Sequence, residues 1–412
     1  MSFQQGLSGL NASSKNLEVI GNNIANAQTF GAKSSRAEFA DVYANSMNGA
    51  GGNAIGIGVN LAAVSQQFSQ GNITITENAM DLAINGPGFF QVTDGNNPTV
   101  YTRNGQFKLD RDGFIVNNQQ QKLMGYAADN QGVIQSGQAR PIQLPTDGIE
   151  PRATDRIDIE FNLDARAAVT EPATPGIDVD DPTTYNNATS VTVYDAKGQE
   201  VALTYYFQKA ATDDWNVYVT ANGEMLTGMP QSLQFPANGG NPLVPAGVVT
   251  IDIPATPAGT PQTLPITGVE LDLTNATQYG ASFGVTDLSQ SGYALGQLSG
   301  IAIEGNGIVM ARYSNGQSKP AGQLELANFR NPQGLQPLGG NAWAATFTSG
   351  DPVRGAPSTG NIGALQSGSL EESNVDLTAE LVNMITAQRS YQANAQTIKT
   401  QDSVLQTLVN LR

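Results

Sequence analysis

Apolar residues recur every seven positions at both ends of the chain. Near the N-terminus this spacing links Phe3, Leu10, Leu17 and Ile24, and the neighbouring positions hold Leu7, Ile20 and Ala27. Near the C-terminus it links Leu377, Met384, Tyr391, Ile398 and Leu405, and the neighbouring positions hold Leu381, Ala395, Leu408 and Val409. A sustained heptad repeat indicates a helix that packs along one narrow face, as in a coiled coil.

The C-terminal pattern predicts a single long helix. Residues 372–412 contain neither Gly nor Pro, and Ser373 or Asp376 can cap the helix with Glu380 in its first turns. The predicted helix of about 35 residues exceeds the usual length in globular proteins, which favours a coiled coil or a bundle.

Between the ends, polar and apolar residues alternate and turn residues interrupt the runs. In "TVYTRNGQFKLDRDGFIV" (99–116), Asn104-Gly105 predicts a hairpin turn and Asp112-Gly113 leads into a third strand. Similar runs follow at 190–207, 215–225, 307–317 and 342–350. The sequence therefore predicts many short antiparallel strands and little helix outside the two ends.

The predicted fold class is α+β, with terminal helices in a coiled-coil-like core layer and two nested, mainly antiparallel β domains between them. The expected domains are a helical core (1–30 with 372–412), a linker or hinge (31–70 with 355–371), an inner β domain (71–146 with 287–354) and an inserted outer β domain (147–286). Within this layout, Gly-rich 45–58 and 349–363 are candidate hinges, and Pro-rich 171–187 and 254–263 are expected surface loops.

Charge is concentrated in the inserted domain. The formal charge of the chain is −16, and residues 147–286 carry −13 of it, with 18 acidic and 5 basic side chains. This balance argues against nucleic acid or anionic lipid as a partner, because both need clustered Lys and Arg. No Cys and no His are present, which excludes thiol chemistry and imidazole-based triads or metal sites.

Other candidate sites are weak, and we expect no cofactor, metal or catalytic residue. The acidic run "DVDD" (178–181) lacks the spacing of a calcium loop, and "LDRDGF" (109–114) fits a hairpin turn better. Glycines at 56–60 and 305–307 lack the rest of a dinucleotide-binding motif. A glycosidase would need two placed carboxylates, and the sequence singles out no pair.

No apolar stretch is long enough to span a membrane, and the first residues do not form a secretory signal peptide. The sequence therefore predicts a cytoplasmic protein or one exported without such a signal.

The terminal helices can pack on each other within one chain or against other chains. Their polar faces carry amides and hydroxyls with little charge, at Gln4, Ser8, Asn11, Ser14 and Asn22 in one helix and Asn383, Gln388, Gln392, Asn394, Gln396 and Gln401 in the other. An exposed helix usually carries Lys/Glu pairs, whereas buried amides can pair and set register. This favours contact between chains, with Asn22, Asn23 and Asn26 as polar contacts beside the Ile20/Ile24 stripe.

Three separated segments resemble the bacterial flagellar axial proteins of the rod and hook. The stretch "LSGLNASSKNLEVIGNNIANAQTFGAKSSRAEFADVY" (7–43) contains the Asn-Asn-Ile-Ala-Asn-x-x-Thr-x-Gly core of that family. "AINGPGFFQV" (83–92) with "YTRNGQFKLDRDGFIVN" (101–117) and residues 368–411 are similar to its strands and its C-terminal helix. The insertion at 147–286 makes the chain most similar to the hook members, since the distal rod protein is shorter.

The resemblance implies a structural, non-enzymatic subunit. Many copies would form a tubular hook that acts as a flexible universal joint and transmits torque from the rod to the filament. Implied partners are further copies, the distal rod, hook cap and hook-filament junction proteins, and the flagellar type III export apparatus, which would deliver the chain outside the cell. A distal rod or junction protein is the nearest alternative, and a secreted β-rich adhesin is a more remote one.

Overall fold

A computed structural model describes residues 2–42, 58–95, 97–129, 131–145, 147–170, 176–256 and 262–410, without the side chains of residues 2, 3 and 408–410. The chain divides into two compact units. The first unit comprises 1–146, 300–312 and 318–412, and the second comprises 147–299 and 313–317.

Two long helices, α1 (Ser2–Asn26) and α2 (Leu377–Asn410), lie at the ends of the chain. Asp376 caps α2, because its Oδ1 accepts hydrogen bonds from the backbone N–H groups of Thr378 (2.9 Å) and Ala379 (3.2 Å). Thr29 Oγ1 donates to the carbonyl of Asn26 at 2.9 Å where α1 ends. The predicted terminal helices and the α+β class are confirmed.

The first unit contains a large sheet and three two-stranded pairings. Its large sheet is ordered β21-β22-β23-β9-β5-β6-β26-β25, with β7, β8, β10, β24 and β27 joined at the side. The pairings outside it are β1 with β2, β3 with β29 and β4 with β28. The strands up to β10 are β1 (Ser35–Val42), β2 (Gly58–Gln66), β3 (Ile73–Ile75), β4 (Leu82–Asn85), β5 (Phe89–Thr93), β6 (Val100–Thr102), β7 (Lys108–Leu109), β8 (Ile115–Val116), β9 (Lys122–Ala127) and β10 (Arg140–Pro141). Those from β21 onward are β21 (Leu298–Ile303), β22 (Ile308–Tyr313), β23 (Ser318–Leu324), β24 (Leu326–Asn328), β25 (Gln336–Gly339), β26 (Ala342–Ala344), β27 (Val353–Gly355), β28 (Ala364–Ser367) and β29 (Ser369–Glu371).

An apolar core and an aromatic cluster hold the first unit together. The core joins Leu82, Phe90, Leu123 and other buried apolar side chains. In the aromatic cluster, Phe89 packs edge-to-face on Trp343 with ring centroids 5.7 Å apart. Strands from the N-terminal and C-terminal parts of the chain therefore share one core.

One of the two predicted turns in 99–116 is confirmed and the other is wrong. β7 pairs with β8 through the turn before Phe114, where Gly113 has a φ of +83°, as Asp112-Gly113 predicts. Asn104-Gly105 makes no hairpin, since β6 pairs with β5 and β26 and not with β7. Neither residue has the positive φ that a type I′ turn requires.

The second unit consists of two sheets around one core. One sheet is ordered β17-β18-β11-β19 with β20 on β11, and the other β12-β13-β14-β15 with β16 on β14. Their strands are β11 (Arg156–Asp164), β12 (Asn187–Tyr194), β13 (Glu200–Ala211), β14 (Asp214–Ala221), β15 (Glu224–Met225), β16 (Gln231–Gln234), β17 (Val249–Ile253), β18 (Ile266–Asp272), β19 (Thr277–Tyr279) and β20 (Gly284–Gln290). β11 runs parallel to β18 and β19, and the other described pairs are antiparallel. Inward residues of both sheets, among them Phe161 and Trp215, share the core.

Candidate assembly surface

The two terminal helices pack side by side and run in opposite directions. A Cβ added to Gly6 would lie 3.1 Å from the side chain of Ile398, and one added to Gly9 would lie 2.9 Å from that of Asn394. At the other end of the pair, Asn23 Nδ2 donates to Glu380 Oε1 at 3.3 Å. Gly6 and Gly9 therefore allow α2 to approach closely near the N-terminal end of α1.

Substituting Gly9 with leucine is expected to separate the helices, because the new side chain occupies the space of the Asn394 amide. Overpacking of this kind costs about 1–3 kcal/mol. Urea unfolding followed by far-UV ellipticity measures the effect. Gly21→Leu is the matched control on the same helix, because a Cβ there meets nothing within 4 Å and loss of a helical glycine stabilises by up to about 1 kcal/mol. Equal unfolding of the two variants would contradict this packing.

The predicted stripe residues of α1 lie mostly at or near the packed side. Ile20 is buried, Leu10, Leu17 and Ile24 are half-buried, and Leu7 is exposed. In α2, Met384 and Ile398 are half-buried, whereas Leu377, Leu381, Tyr391 and Leu405 are exposed. The side chain of Leu408 lies outside the described residues. The chain therefore covers only part of the apolar surface that the heptads indicate.

Two α2 residues near α1 differ from the predicted pattern. Asn394, expected on the outer polar face, is half-buried against Gly9, and that expectation is wrong. The amide fits there because glycine leaves the space that a side chain would take. Ala387, which the heptad pattern did not single out, is buried.

An exposed apolar patch marks the first turns of α2. It consists of Leu377, Leu381 (50% exposed), Val382 (59%) and Ile385 (52%). Contiguous exposed apolar patches commonly mark protein interaction sites. These four side chains are therefore a candidate contact surface. We call these four residues the α2 patch.

A groove of about 690 Å³ lies between the two helices and the β1-β2 ribbon. Small and amide side chains line much of it, including Ala12, Ser13, Asn16, Asn383 and Ser390. Arg36 and Glu380 are the charged residues of the lining. Little charge would therefore have to lose its hydration if another protein segment packed into the groove.

Asn23, in the Asn-rich stretch of α1, is buried and bonded within the chain. Its Oδ1 accepts from the Ser35 N–H and its Nδ2 donates to the Ser35 carbonyl, both at 2.8 Å. With the contact to Glu380, both amide hydrogens are used. Asn23 thus fixes α1 against β1 and α2 in its own chain, and its role between chains stays a prediction.

Asn22 and Asn26 are the neighbouring amides of this stretch, one residue before Asn23 and three residues after it. Asn26 Nδ2 donates to the Asn22 carbonyl at 3.0 Å and to Asn22 Oδ1 at 3.2 Å. Asn22 is exposed and Asn26 is half-buried. Both amides are therefore accessible at the surface, and contact with another chain through them stays a prediction.

Both helices join the first unit at a buried ionic cluster of Lys33, Arg103 and Glu371. Lys33 Nζ lies 2.6 Å from Glu371 Oε1, and Arg103 Nη1 lies 2.9 Å from Glu371 Oε2. The exposed fractions of the three side chains are 0%, 5% and 1%. The backbone N–H of Gly71 also donates to Glu371 Oε1 at 2.9 Å. One carboxylate thus binds segments that are distant in the sequence.

Burial lowers the pKa of Lys33 and also that of Arg103, because both cations lose hydration. The carboxylate of Glu371 opposes this shift at both groups. Two buried cations therefore depend on one anion, and Glu371 is the residue that makes the cluster stable.

The backbone adds to this junction. The Gly31 N–H donates to the Glu371 carbonyl at 2.8 Å, and a Cβ on Gly31 would lie 2.5 Å from the Asn104 nitrogen. Gly31 also has a φ of +72°, which other residues rarely adopt. Gly31, the last residue of the Asn-rich family motif, is thus required both by its positive φ and by the lack of space for a side chain.

Sequence reasoning missed the ionic cluster. Its members are separated by 338 residues between Lys33 and Glu371 and by 268 between Arg103 and Glu371, and no local pattern connects them. The only available signal was the position of Lys33 and Glu371 close to the two helices.

The acidic run 178–181 forms a turn that bonds its own backbone. Asp178 Oδ1 accepts from the Asp180 N–H at 3.0 Å, and Asp181 Oδ1 accepts from the Thr183 N–H at 2.9 Å. The part of the chain that the structure describes contains no cluster of three metal-binding side chains. Neither described helix is long and apolar enough to cross a membrane.

Four family models match the chain. They are "Flagella basal body rod protein" at 3–33, "Flagellar hook protein FlgE/F/G D1 domain" at 83–199, "Flagellar basal body protein FlaE D2 domain" at 162–293 and "Flagellar basal body rod FlgEFG protein C-terminal" at 366–411. The match at 3–33 covers α1 except Ser2, and the match at 366–411 covers all of α2.

Curated relatives align over the whole chain. The flagellar hook protein FlgE of Salmonella typhimurium strain LT2 is 41% identical and that of Escherichia coli K12 is 40% identical, each covering 100% of both chains. The crystal structure of Helicobacter pylori FlgE2 covers 72% of this chain and is itself covered completely, with a TM-score of 0.52 at 14% identity, which shows a shared fold. Given relatives of this identity along its full length, the chain belongs to the flagellar hook protein FlgE family.

Proposed function

We propose that the chain is the structural subunit of a flagellar hook, and that copies assemble through α1 and α2 into a tube. In this proposal the helices form a coiled-coil-like inner layer with the nested β domains outside it. The α2 patch is the observation that carries the proposal, since its side chains are 40–59% exposed in the single chain. Because about half of each side chain is already covered, burying the rest would stabilise by roughly 1 kcal/mol each.

The assembled tube would act as a universal joint that passes torque from the rod to the filament. Packed helices give a continuous connection, whereas the polar, acidic 147–286 region would make weak contacts that can shift as the tube bends. We propose 349–363 as a hinge. The second candidate hinge, 45–58, lies outside the described residues except Gly58.

The same proposal includes the partners and the location. The tube would meet a distal rod protein, a hook cap and hook-filament junction proteins, and the type III apparatus would export the chain to the cell exterior. Family membership supports a place in the flagellum and a structural rather than enzymatic role.

The paired substitution Leu381→Asp with Ile385→Asp tests the α2 patch. We expect loss of tubes of uniform diameter in negative-stain microscopy, because two charges would have to be buried between subunits. Both side chains are about half exposed in the single chain, so the monomer should stay folded and lose no more than about 1–2 kcal/mol of unfolding free energy.

The matched control is Leu381→Met with Ile385→Leu, which keeps an apolar surface at the same positions and should still assemble. Deletion of 376–412 should abolish assembly. Normal tubes from the aspartate variant or from the deletion would contradict assembly through these helices.

A further inference from the structure

Asparagine followed directly by glycine recurs in the described part of the chain. The asparagines of these pairs are Asn85, Asn104, Asn222, Asn238, Asn306 and Asn315. Such a pair is prone to deamidation, because glycine has no Cβ that hinders its own backbone nitrogen from attacking the asparagine side chain. In a folded chain the rate also depends on how firmly the side chain is held, so the structure ranks these positions.

Five of these side chains are held by a hydrogen bond at Oδ1. The backbone N–H two residues later donates to Asn104 (3.1 Å), Asn306 (3.0 Å) and Asn315 (3.1 Å). The Ala202 N–H donates to Asn222 at 3.0 Å, and Gln70 Nε2 donates to Asn85, in the paired strand β4, at 3.5 Å. Rotation of the side chain into the attack position breaks such a bond, which slows the reaction by about two- to tenfold.

Asn238 is the exception. It is exposed in the connection between β16 and β17, and no hydrogen bond from a described residue reaches its side chain. Two residues later, Gly240 has a φ of +92°, whereas the corresponding donors in two other pairs are Ile308 and Gln317, for which this conformation would be strained. Two consecutive glycines therefore give the chain after Asn238 a different course and more conformational freedom.

The attacking nitrogen does not distinguish these turns. The Gly239 N–H donates to the carbonyl of Pro236 at 2.8 Å, and the Gly307 and Gly316 N–H groups donate to the carbonyls three residues before them at 2.9 and 3.1 Å. Each of these bonds must break before the nitrogen can attack. The unheld side chain is thus what separates Asn238 from the otherwise similar turns.

We propose that Asn238 is a site of spontaneous deamidation in the folded chain, with water as the co-reactant. The Gly239 nitrogen gives up its proton to water and bonds to Asn238 Cγ, and the side-chain nitrogen leaves as ammonia. Water then opens the resulting cyclic imide at either carbonyl, which leaves an aspartyl or a β-aspartyl residue. The net change replaces a neutral amide with a carboxylate, and it does not depend on the proposed assembly.

The β-aspartyl product alters the surface of the second unit. It adds a backbone carbon before Gly239, where a Cβ would already lie 2.6 Å from the Gln278 carbonyl oxygen and 2.8 Å from the Tyr279 ring. The longer backbone has no space on this side, so Tyr279, which pairs with Asp164 between β19 and β11, must move. Either product also adds negative charge to 147–286, which already carries 18 acidic and 5 basic side chains.

The chain contains a matched control, because the tripeptide Ala-Asn-Gly occurs at 221–223 as well as at 237–239. The folded full chain and the chain unfolded in guanidinium chloride are incubated at mildly alkaline pH, and peptide mass spectrometry measures amide loss at both positions. In the folded chain we expect Asn238 to deamidate at least about fivefold faster than Asn222. In the unfolded chain the two rates should agree within about twofold, because the local sequence is the same and the native hydrogen bonds are lost.

Two variants check that the signal comes from the assigned residue. Asn238→Gln should abolish amide loss in the peptide that contains 237–239, because attack on the longer side chain needs a larger ring that closes less readily. Asn222→Gln should leave amide loss in that peptide unchanged. Equal rates at Asn222 and Asn238 in the folded chain, or faster loss at Asn306 or Asn315, would overturn the proposal.

Discussion

Replacing Glu371 with alanine is expected to lower the free energy of unfolding of the first unit by about 3–5 kcal/mol. The substitution leaves Lys33 and Arg103 buried without their shared anion. It also leaves the Gly71 N–H without its acceptor. The measurement is urea unfolding followed by the fluorescence of Trp343 in a Trp215→Phe background, since the chain has two tryptophans and Trp215 lies in the core of the second unit.

Glu18→Ala is the control for this prediction. Glu18 pairs with Lys15 at 2.8 Å, but both side chains are more than half exposed, so its loss should cost at most about 1 kcal/mol. A second comparison replaces Lys33, Arg103 and Glu371 together with methionine. Because a buried ion cluster can often be replaced by apolar residues of similar size, the triple variant should be more stable than Glu371→Ala. If Glu371→Ala cost no more than Glu18→Ala, the cluster would not anchor the helices.

The ionic cluster matters for the proposed torque transmission because of its position. Lys33 follows α1 by seven residues and Glu371 precedes α2 by six. The covalent connections from the helix pair to the other strands of the first unit therefore run close to this cluster. Buried charge pairs resist separation more than exposed pairs, because each ion would be left without its partner in a nonpolar surrounding.

The sequence was sufficient to predict the elements that depend on local patterns. Seven-residue spacing predicted both helices, and Asp376 was one of two predicted caps because an aspartate side chain can accept from the first turn. Asp112-Gly113 was predicted as a turn because glycine tolerates a positive φ. Each of these features is decided within a few residues of the chain.

Features that depend on distant contacts could not be predicted in the same way. The hydrogen bonds of Asn23 to Ser35 and to Glu380, 357 residues away, follow from no local pattern, and its predicted contact with another chain stays a prediction. The heptad pattern predicts Asn394 on a polar face, because it does not show that Gly9 leaves space for the amide. In each case both residues can be read from the sequence, but no local pattern shows that they are in contact in the folded chain.

Gly105→Ala is expected to destabilise the first unit by about 3 kcal/mol. The reason is a close backbone contact and not the turn that the Asn-Gly pair predicts. Asn-Gly normally indicates a hairpin turn, but here the chain passes against β4, with the Leu82 N–H donating to the Gly105 carbonyl at 3.0 Å. A Cβ on residue 105 would overlap the carbonyl oxygen of Leu82. Backbone atoms cannot move aside as a flexible side chain can, so the strand and this hydrogen bond must shift together.

Gly137→Ala is the matched control, because a Cβ there meets nothing within 4 Å and its φ is not positive. Its unfolding midpoint should stay the same or rise slightly, since alanine restricts the unfolded chain. The fluorescence of Trp343 in the Trp215→Phe background reports both variants. Equal midpoints would mean that alanine is tolerated at residue 105 and that the approach to β4 does not require glycine. A lower midpoint for Gly105→Ala alone would show that the close approach of β4 requires this glycine. The same segment contains Arg103, two residues earlier, which binds Glu371 in the ionic cluster.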